Sequence, residues 1–263
     1  KLNPFFWKKV SKKNELTNIK FEYIFDTQKA VMRTIALKRL KHNKFISNAA
    51  KGIFSNIKIK NQSLEKKYYL DELIDLLSCI KNTEIDKSFK ISIPEKIENK
   101  LLKYFNPKFK YIGIAPGAGH IDRIWPLKNF LNVAEYFEKN FYKIFCFIGP
   151  NEIDIQNLIK KKFPKSVFPE ELITDFSNIE VAMASTKFLS CCLANDSGIS
   201  HVLSTKQCPL IKLIGNKNFI KFSPKHDSII NISPENKKYD KIHNIDIKTV
   251  IKTIENTIDK KNV

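Results

Sequence analysis

The sequence predicts an α/β protein built on parallel sheets, and three observations carry that prediction. Strand-like apolar runs alternate with helical patterns along the chain. Two of those runs, Tyr111-Ile-Gly-Ile-Ala115 and Phe188-Leu-Ser-Cys-Cys-Leu-Ala194, are of the buried type and open straight into small-residue loops followed by helix starts. With 263 residues, 43% of them hydrophobic, the chain can bury a sizeable core and fits one large or two small domains. In an open parallel sheet, loops of this kind gather at the carboxyl edge of the strands. Two together predict a site for a phosphate-bearing ligand.

The first loop is Ala115-Pro-Gly-Ala-Gly-His-Ile-Asp-Arg-Ile-Trp-Pro126. Gly117 and Gly119 are expected to allow positive φ and to let a ligand approach bare N–H groups. Such groups, backed by a helix N-terminus, bind anions. Arg123 adds a planar fork of donors suited to phosphate oxygens, and Pro126 suits the first turn of a helix over 127–139. The plainer alternative is a glycine turn that closes a strand, with Trp125 packed as core. No Gly-Lys-Ser/Thr follows and no Gly-x-Gly-x-x-Gly is formed, so neither a P-loop nor a dinucleotide fingerprint is present.

Further along, Phe141-Tyr-Lys-Ile-Phe-Cys-Phe-Ile-Gly149 reads as a buried strand and 151–162 as a helix. Ser177-Asn-Ile-Glu180 is a capping box opening a helix through Ser185. The strand ending at Ala194 runs into Asn195-Asp-Ser-Gly-Ile-Ser-His201. Asp196 or Ser197 caps the helix that starts near Ile199, or else joins Gly198 in presenting a carboxylate, a hydroxyl and N–H groups to a sugar and a diphosphate. His201, about one helical turn on, is a packed or capping residue in one reading and faces the same edge in the other. Ile247, Val250, Ile251, Ile254 and Ile258 recur at helical spacing and mark an amphipathic terminal helix over 246–259.

The net charge is +19, and Arg33, Arg39 and Arg123 are the only arginines among 46 basic residues. A solvated lysine face explains that excess, and an anionic lipid surface is the functional alternative. Nucleic acid is not expected as a partner: no RRM, KH or zinc-finger pattern occurs, and arginine, the preferred base reader, is scarce. Cys79, Cys146, Cys191, Cys192 and Cys208 are odd in number and form no C-x-x-C pair, which argues against a disulfide framework or a zinc site. Cys191 and Cys192 read as small buried hydrophobes on opposite faces of one strand. Asp154 and Asp175 stand apart, so no Asp-x-Asp metal pair is seen and neither a metal nor a cofactor is expected. No apolar run reaches the length of a bilayer span, and Lys1 to Val10 is too short and charged for a signal peptide. A cytoplasmic location is expected, at the inner face of the membrane if the lysines act there.

Taken together, the motifs resemble glycosyltransferase family 9, the ADP-heptose:lipopolysaccharide heptosyltransferases. Pro116-Gly-Ala-Gly119 followed by Arg123 and Trp125-Pro126 is similar to that family's first motif, with arginine where lysine is usual. Asp196-Ser-Gly-Ile-Ser-His201 is similar to its Asp-Ser/Thr-Gly-x-x-His motif. Phe147-Ile-Gly-Pro-Asn-Glu152 resembles a strand end whose acidic residue faces the donor nucleoside, and Pro209-Leu-Ile-Lys-Leu-Ile-Gly215 resembles the next strand, with Ile214 in place of Phe. Upstream, Phe21-Glu-Tyr-Ile-Phe-Asp-Thr-Gln28 and a helix over 30–41 look like the late part of the family's first domain.

The resemblance implies a GT-B-like architecture of two Rossmann-like domains: a partial acceptor-side domain over 1–105 and a donor-binding domain over 106–263, divided near Asn106-Pro107. The first domain is expected to be truncated, because the family's opening strand and the loop carrying its catalytic aspartate are not found. The catalytic residue is therefore left unassigned. The implied reaction is an inverting, metal-independent transfer of a sugar, expected to be heptose, from a nucleotide-diphosphate sugar to a lipopolysaccharide-type or other glycan acceptor. Gly117, Ala118 and Gly119 would carry the diphosphate with Arg123 as counter-charge. Ser197 and Gly198 would hold it from the other side, Asp196 would orient sugar hydroxyls, Glu152 would face the nucleoside, and His201 would complete the donor site. Two other readings stay open: a non-catalytic sugar-nucleotide or glycan-binding module, and another nucleotide-dependent Rossmann enzyme.

Overall fold

The structure is a computed structural model, and it describes residues 15–57, 59, 68–80, 91–205, 208–215, 228–235 and 241–261. Lys1 to Val10 lie outside the described residues. Those described form two compact units, 15–80 in the first and 91–261 in the second. The division falls earlier than Asn106, and the packing gives the reason. Helix Glu95–Leu101 buries Ile97 and Leu101 completely against the second unit's core, and Phe105 stacks on Phe145 and Phe188 there.

In the first unit, strand β1 (Phe21–Asp26), helix α1 (Val31–Lys38) and strand β2 (His42–Ser47) make a parallel βαβ crossover. Asp26, buried at the end of β1, accepts hydrogen bonds from the Gln28 N–H (3.0 Å) and from the hydroxyls of Thr34 and Ser47. Three donors on one carboxylate tie the strand end, the helix and the neighbouring strand together, which is what keeps a buried charge tolerable. Helix α2 (Tyr69–Leu77) completes the described part of this unit.

Helix α3 (Glu95–Leu101) begins the second unit, whose sheet is fully parallel. Its strands are β3 (Lys110–Ala115), β4 (Tyr142–Cys146), β5 (Cys191–Asn195), β6 (Leu210–Leu213) and β7 (Ile229–Ile232), in the spatial order β4-β3-β5-β6-β7. Alternate residues feed opposite faces. Ile112, Ile114, Cys191, Leu193, Ile211 and Leu213 pack with helix α4 (Leu127–Lys139) and the chain's last helix, Ile247–Lys261. Tyr111, Ala115, Cys192, Ala194 and Leu210 pack on the other side with α3 and helix Asn178–Ser185. Cys191 and Cys192 thus lie on opposite faces as the period-2 argument requires.

Between these strands run helix α5 (Ile153–Lys162), helix α6 (Pro169–Leu172), helix α7 (Asn178–Ser185) and helix α8 (Gly198–Leu203), with α9 (Ile247–Lys261) last. The capping box that opens α7 is present: Glu180 N–H donates to Ser177 Oγ and Ser177 N–H donates to Glu180 Oε2. β4 starts one residue later than the apolar run suggests, because Phe141 takes φ 65° in the turn after α4 and is left exposed. Left-handed backbone cannot continue a strand.

Because β3 leads outward to β4 while β5 to β7 build the other way, the strand order reverses between β3 and β5. That reversal opens a crevice at the carboxyl ends of these two strands. Close packing holds them together. A Cβ on Gly113 of β3 would lie 2.8 Å from Cys192 Sγ and 2.9 Å from Leu189 Cδ1. Gly113→Ala is therefore expected to cost about 1–3 kcal/mol, the usual price of overpacking. Denaturant melts of the full chain check this, and an unchanged midpoint would show that the β3–β5 contact has slack.

Candidate active site

The two loops picked out in the sequence leave the sheet from β3 and β5, the strands on either side of the crevice. One buried side chain joins them. Asn195, the last residue of β5, donates from Nδ2 to the Pro116 carbonyl (2.6 Å) and accepts the Trp125 N–H on Oδ1 (3.1 Å). It therefore grips the first loop at its start and near its end. Trp125 is fully buried and donates from Nε1 to the Ile245 carbonyl (3.1 Å). Both readings of that segment hold at once: the tryptophan is core, and the glycines before it face a cavity.

That cavity has a volume of about 420 Å³. Gly117, Ala118 and Gly119 line it from the first loop, Ser197 and Gly198 from the second, and Glu152 from the segment after β4. These six come from three segments far apart in the sequence, and the fold brings all of them together. Neither Gly117 nor Gly119 has a positive φ, which corrects the expectation that they were needed for left-handed backbone. Their absent side chains matter instead. The Glu152 carboxylate lies where a Gly117 side chain would project, and it accepts the Gly149 N–H at 2.8 Å. A Cβ on Gly119 or Gly198 would meet nothing within 4 Å, so these two keep the cavity wall bare.

Ser197 precedes α8 in extended conformation, and its backbone is served by Ser200. Ser200 Oγ donates to the Ser197 carbonyl (2.8 Å) and accepts its N–H (3.3 Å). The Ser197 hydroxyl itself is buried and has no hydrogen-bond partner among the described residues. A hydroxyl left this way costs about 1–3 kcal/mol unless something else bonds it. Ser197 and Ser200 also form a capping box at the start of α8, so the capping role holds beside any contact with a ligand.

Arg123, Asp196 and His201 do not line the cavity; they form a charged cluster beside it. Asp196 Oδ1 pairs with Lys212 Nζ at 2.6 Å, and Arg123 Nη1 stands 3.8 Å from its Oδ2. Lys212 sits mid-strand in β6 with its side chain 1% exposed. Partial burial of its ring pushes the His201 pKa below the usual histidine value; the Lys212 charge adds to this, Asp196 opposes it, and Arg123 adds a smaller push. Protonating His201 therefore favours the unfolded chain, and stability drops as the pH falls below about 6.5, the unfolded histidine value.

Asn195, Lys212 and Glu170 were missed in the sequence reading. Lys212 had a legible signal, a lysine inside the apolar run Pro209-Leu-Ile-Lys-Leu-Ile-Gly215, since a lysine is almost never fully buried unless paired. Glu170, at the start of α6, lines the cavity and has its carboxyl pushed up to about 7 by burial, with Glu171 adding to the effect.

A family model for glycosyltransferase family 9 (heptosyltransferase) matches residues 10–251. The chain belongs to glycosyltransferase family 9. It is a glycosyltransferase by family, with the parallel-sheet, GT-B-like fold of heptosyltransferases. Among solved structures, the family 9 glycosyl transferase of Veillonella parvula is similar at a TM-score of 0.71 and 17% identity, over 92% of this chain and 74% of that one. Escherichia coli heptosyltransferase WaaC with ADP is similar at 0.67 and 13%, over the same shares. The E. coli ADP-heptose LPS heptosyltransferase II is similar at 0.63 and 14%, over 92% and 77%. No curated protein matches the sequence significantly.

Two substitutions separate the members of the charged cluster. Asp196→Ala strands the Lys212 ammonium and is expected to cost about 3–5 kcal/mol of stability. Lys212→Met fills the same space with apolar atoms and leaves Asp196, whose side chain is 20% exposed, in contact with water. It is expected to cost no more than about 1 kcal/mol. Equal losses in urea melts would contradict the assignment of Lys212 as the residue that depends on its partner.

Proposed function

We propose that the second unit binds a nucleotide-diphosphate sugar and that the chain transfers its sugar, as a heptosyltransferase, to a lipopolysaccharide-core or related glycan acceptor. One observation carries the donor reading. The loops after β3 and β5 meet in one cavity, lined by Gly117, Ala118, Gly119, Ser197 and Gly198. Family membership supports heptose as the sugar, and the similar E. coli enzyme bound to ADP supports adenine as the base.

In this reading the diphosphate lies between the backbone of Gly117, Ala118 and Gly119 and the Ser197–Gly198 turn, with the Ser197 hydroxyl donating to a phosphate oxygen. Glu152 turns toward the nucleoside hydroxyls, since its carboxylate already reaches over the glycine loop. Asp196, held by Lys212, presents its other oxygen to a sugar hydroxyl, and His201 borders the same pole. The acceptor hydroxyl attacks the anomeric carbon opposite the departing diphosphate, which inverts that centre. Arg123 and the loop N–H groups take up the negative charge that develops on the leaving group, so the step runs without a metal. A preorganised cation and backbone dipoles of this kind gain most where water is excluded.

The location that suits this substrate is the cytoplasmic side of the inner membrane. Among the described residues no helix is long and apolar enough to cross a membrane. The surplus of 46 basic over 27 acidic residues favours contact with anionic lipid.

Arg123→Ala is expected to weaken ADP-heptose binding by about 10- to 150-fold, the equivalent of about 1.5–3 kcal/mol for a charge-assisted hydrogen bond. Calorimetric titration of the wild-type and variant chains measures it, with a transfer assay on a lipid-linked core acceptor run alongside. Unchanged donor affinity would remove Arg123 from the site. Failure of ADP-heptose, UDP-sugars and GDP-sugars alike to bind the wild-type chain would overturn the donor reading.

A further inference from the structure

The donor cavity spans three strand ends. Ser197 and Gly198 follow β5, Gly117 to Gly119 follow β3, and Glu152 follows β4, the edge strand. Neighbouring strands lie about 4.8 Å apart, so the distance from the β5 end to the β4 end is roughly 10 Å. That suits a nucleotide laid across the edge, with its diphosphate at β5 and β3 and its base at β4. Glu170 lines the cavity at this β4 end: α6 follows the bridge that Val167 makes with Phe145 of β4, and Cys146 feels the Glu170 charge. Phe147, Ile148 and Ile179 supply apolar surface beside it, and Asn178 a polar group. A flat base needs such surfaces, with one polar group to read its edge.

We propose that Glu170 reads the hydrogen-bonding edge of the donor's nucleobase and selects adenine. This rests on the donor reading above. A neutral carboxylic acid offers an O–H donor beside a carbonyl acceptor, the complement of adenine's ring-nitrogen acceptor and exocyclic amine. An ionised carboxylate offers two acceptors, the complement of guanine's ring N–H and amine. Glu170 therefore discriminates through its proton.

Its surroundings keep that proton on near neutrality. Burial pushes the carboxyl up to about 7, a hydrogen bond from its own backbone N–H opposes that, and the neighbouring Glu171 adds a smaller push upward. The titratable groups on the elements around it are acidic, buried or already engaged. Cys146, on β4, is buried, and its thiol is driven up by that burial and by Glu170 itself. Lys160 of α5 is paired with Glu171 at 2.6 Å. Glu180 of α7 is closed into its box with Ser177. Glu152, before α5, lies in the same cavity on the Gly149 N–H. Among the described ion pairs, none gives Glu170 a cation.

The test is calorimetric titration of the full chain with ADP-glucose, GDP-glucose and UDP-glucose at pH 6, 7 and 8. These share one sugar, and their diphosphates do not titrate in that range. Wild type is expected to prefer ADP-glucose and to lose affinity for it about 10-fold from pH 6 to pH 8, as the competent neutral acid becomes the minor form. Glu170→Gln, whose amide keeps one donor and one acceptor, should retain the preference and show a flat profile. Glu170→Ala should weaken ADP-glucose about 10-fold or more and narrow its lead over the other two. ADP-glucose binding that is the same in Glu170→Ala as in wild type, at every pH, would overturn the proposal and leave the donor site standing. GDP-glucose binding tighter than ADP-glucose binding at pH 6, where the acid is mostly neutral, would also overturn it. No binding of any of the three would overturn the donor reading and this proposal together.

Discussion

Asn195 is the residue on which the geometry of the site depends. A parallel sheet brings two strand ends together, but the loops beyond them are free to splay. Here one amide, buried at the end of β5, donates to the Pro116 carbonyl and accepts the Trp125 N–H. It closes the ten-residue stretch from Pro116 to Trp125 against the strand that launches the second loop. The chemistry demands an amide. A carboxylate could accept from Trp125 but would oppose the Pro116 carbonyl, and an apolar residue would orphan both groups in a dry environment. Trp125 extends the clamp by bonding the Ile245 carbonyl just ahead of α9, so the terminal helix, the first loop and the second loop share one anchored point.

The next residue bears the charge. Asp196 draws in Lys212 from β6 and lies near Arg123 from the first loop, so one carboxylate organises two cations brought by different elements. The division of labour follows from sheet order. The cavity side of the two loops is bare glycine and a serine, suited to polar ligand oxygens. The cluster side is charged and set by the buried Lys212 and its half-buried partner Asp196. Any ligand that uses both must be long, polar and anionic along part of its length, which is the description of a nucleotide-diphosphate sugar. Glu152 and Glu170 at the β4 end give the far part of such a ligand two acidic neighbours of different character, one bonded to backbone and one desolvated.

Much of this was legible in the sequence because period and punctuation agree there. The continuous apolar runs 111–115 and 188–194 mark the strands, Pro126 sits immediately before α4, and Ser177 with Glu180 opens α7. The two loops that line the cavity were legible through small residues that leave backbone exposed. What escaped was tertiary. Nothing local shows that the Asn195 amide spans to Pro116, or that Glu170 is carried to the cavity by a short helix behind β4. The domain boundary was set too late because the lysine-rich stretch before Asn106 hides Ile97 and Leu101, two core residues on the buried side of α3. The roles of Gly117 and Gly119 were misjudged for a related reason. Composition announces a glycine, but only the position of the Glu152 carboxylate and the open wall at Gly119 show that space, and not left-handed φ, is what it provides.

The central claim is that the loops after β3, β4 and β5 act as one nucleotide-sugar site. Mapping backbone amide shifts of the full chain during titration with ADP-heptose tests it most directly. The account predicts that the largest changes fall together on Gly117 to Gly119, Gly149 to Glu152 and Ser197 to Ile199, saturating with one affinity. Changes confined to residues outside these three segments, such as Tyr136 and Glu255 on the facing helices α4 and α9, or separate affinities for the three segments, would contradict it.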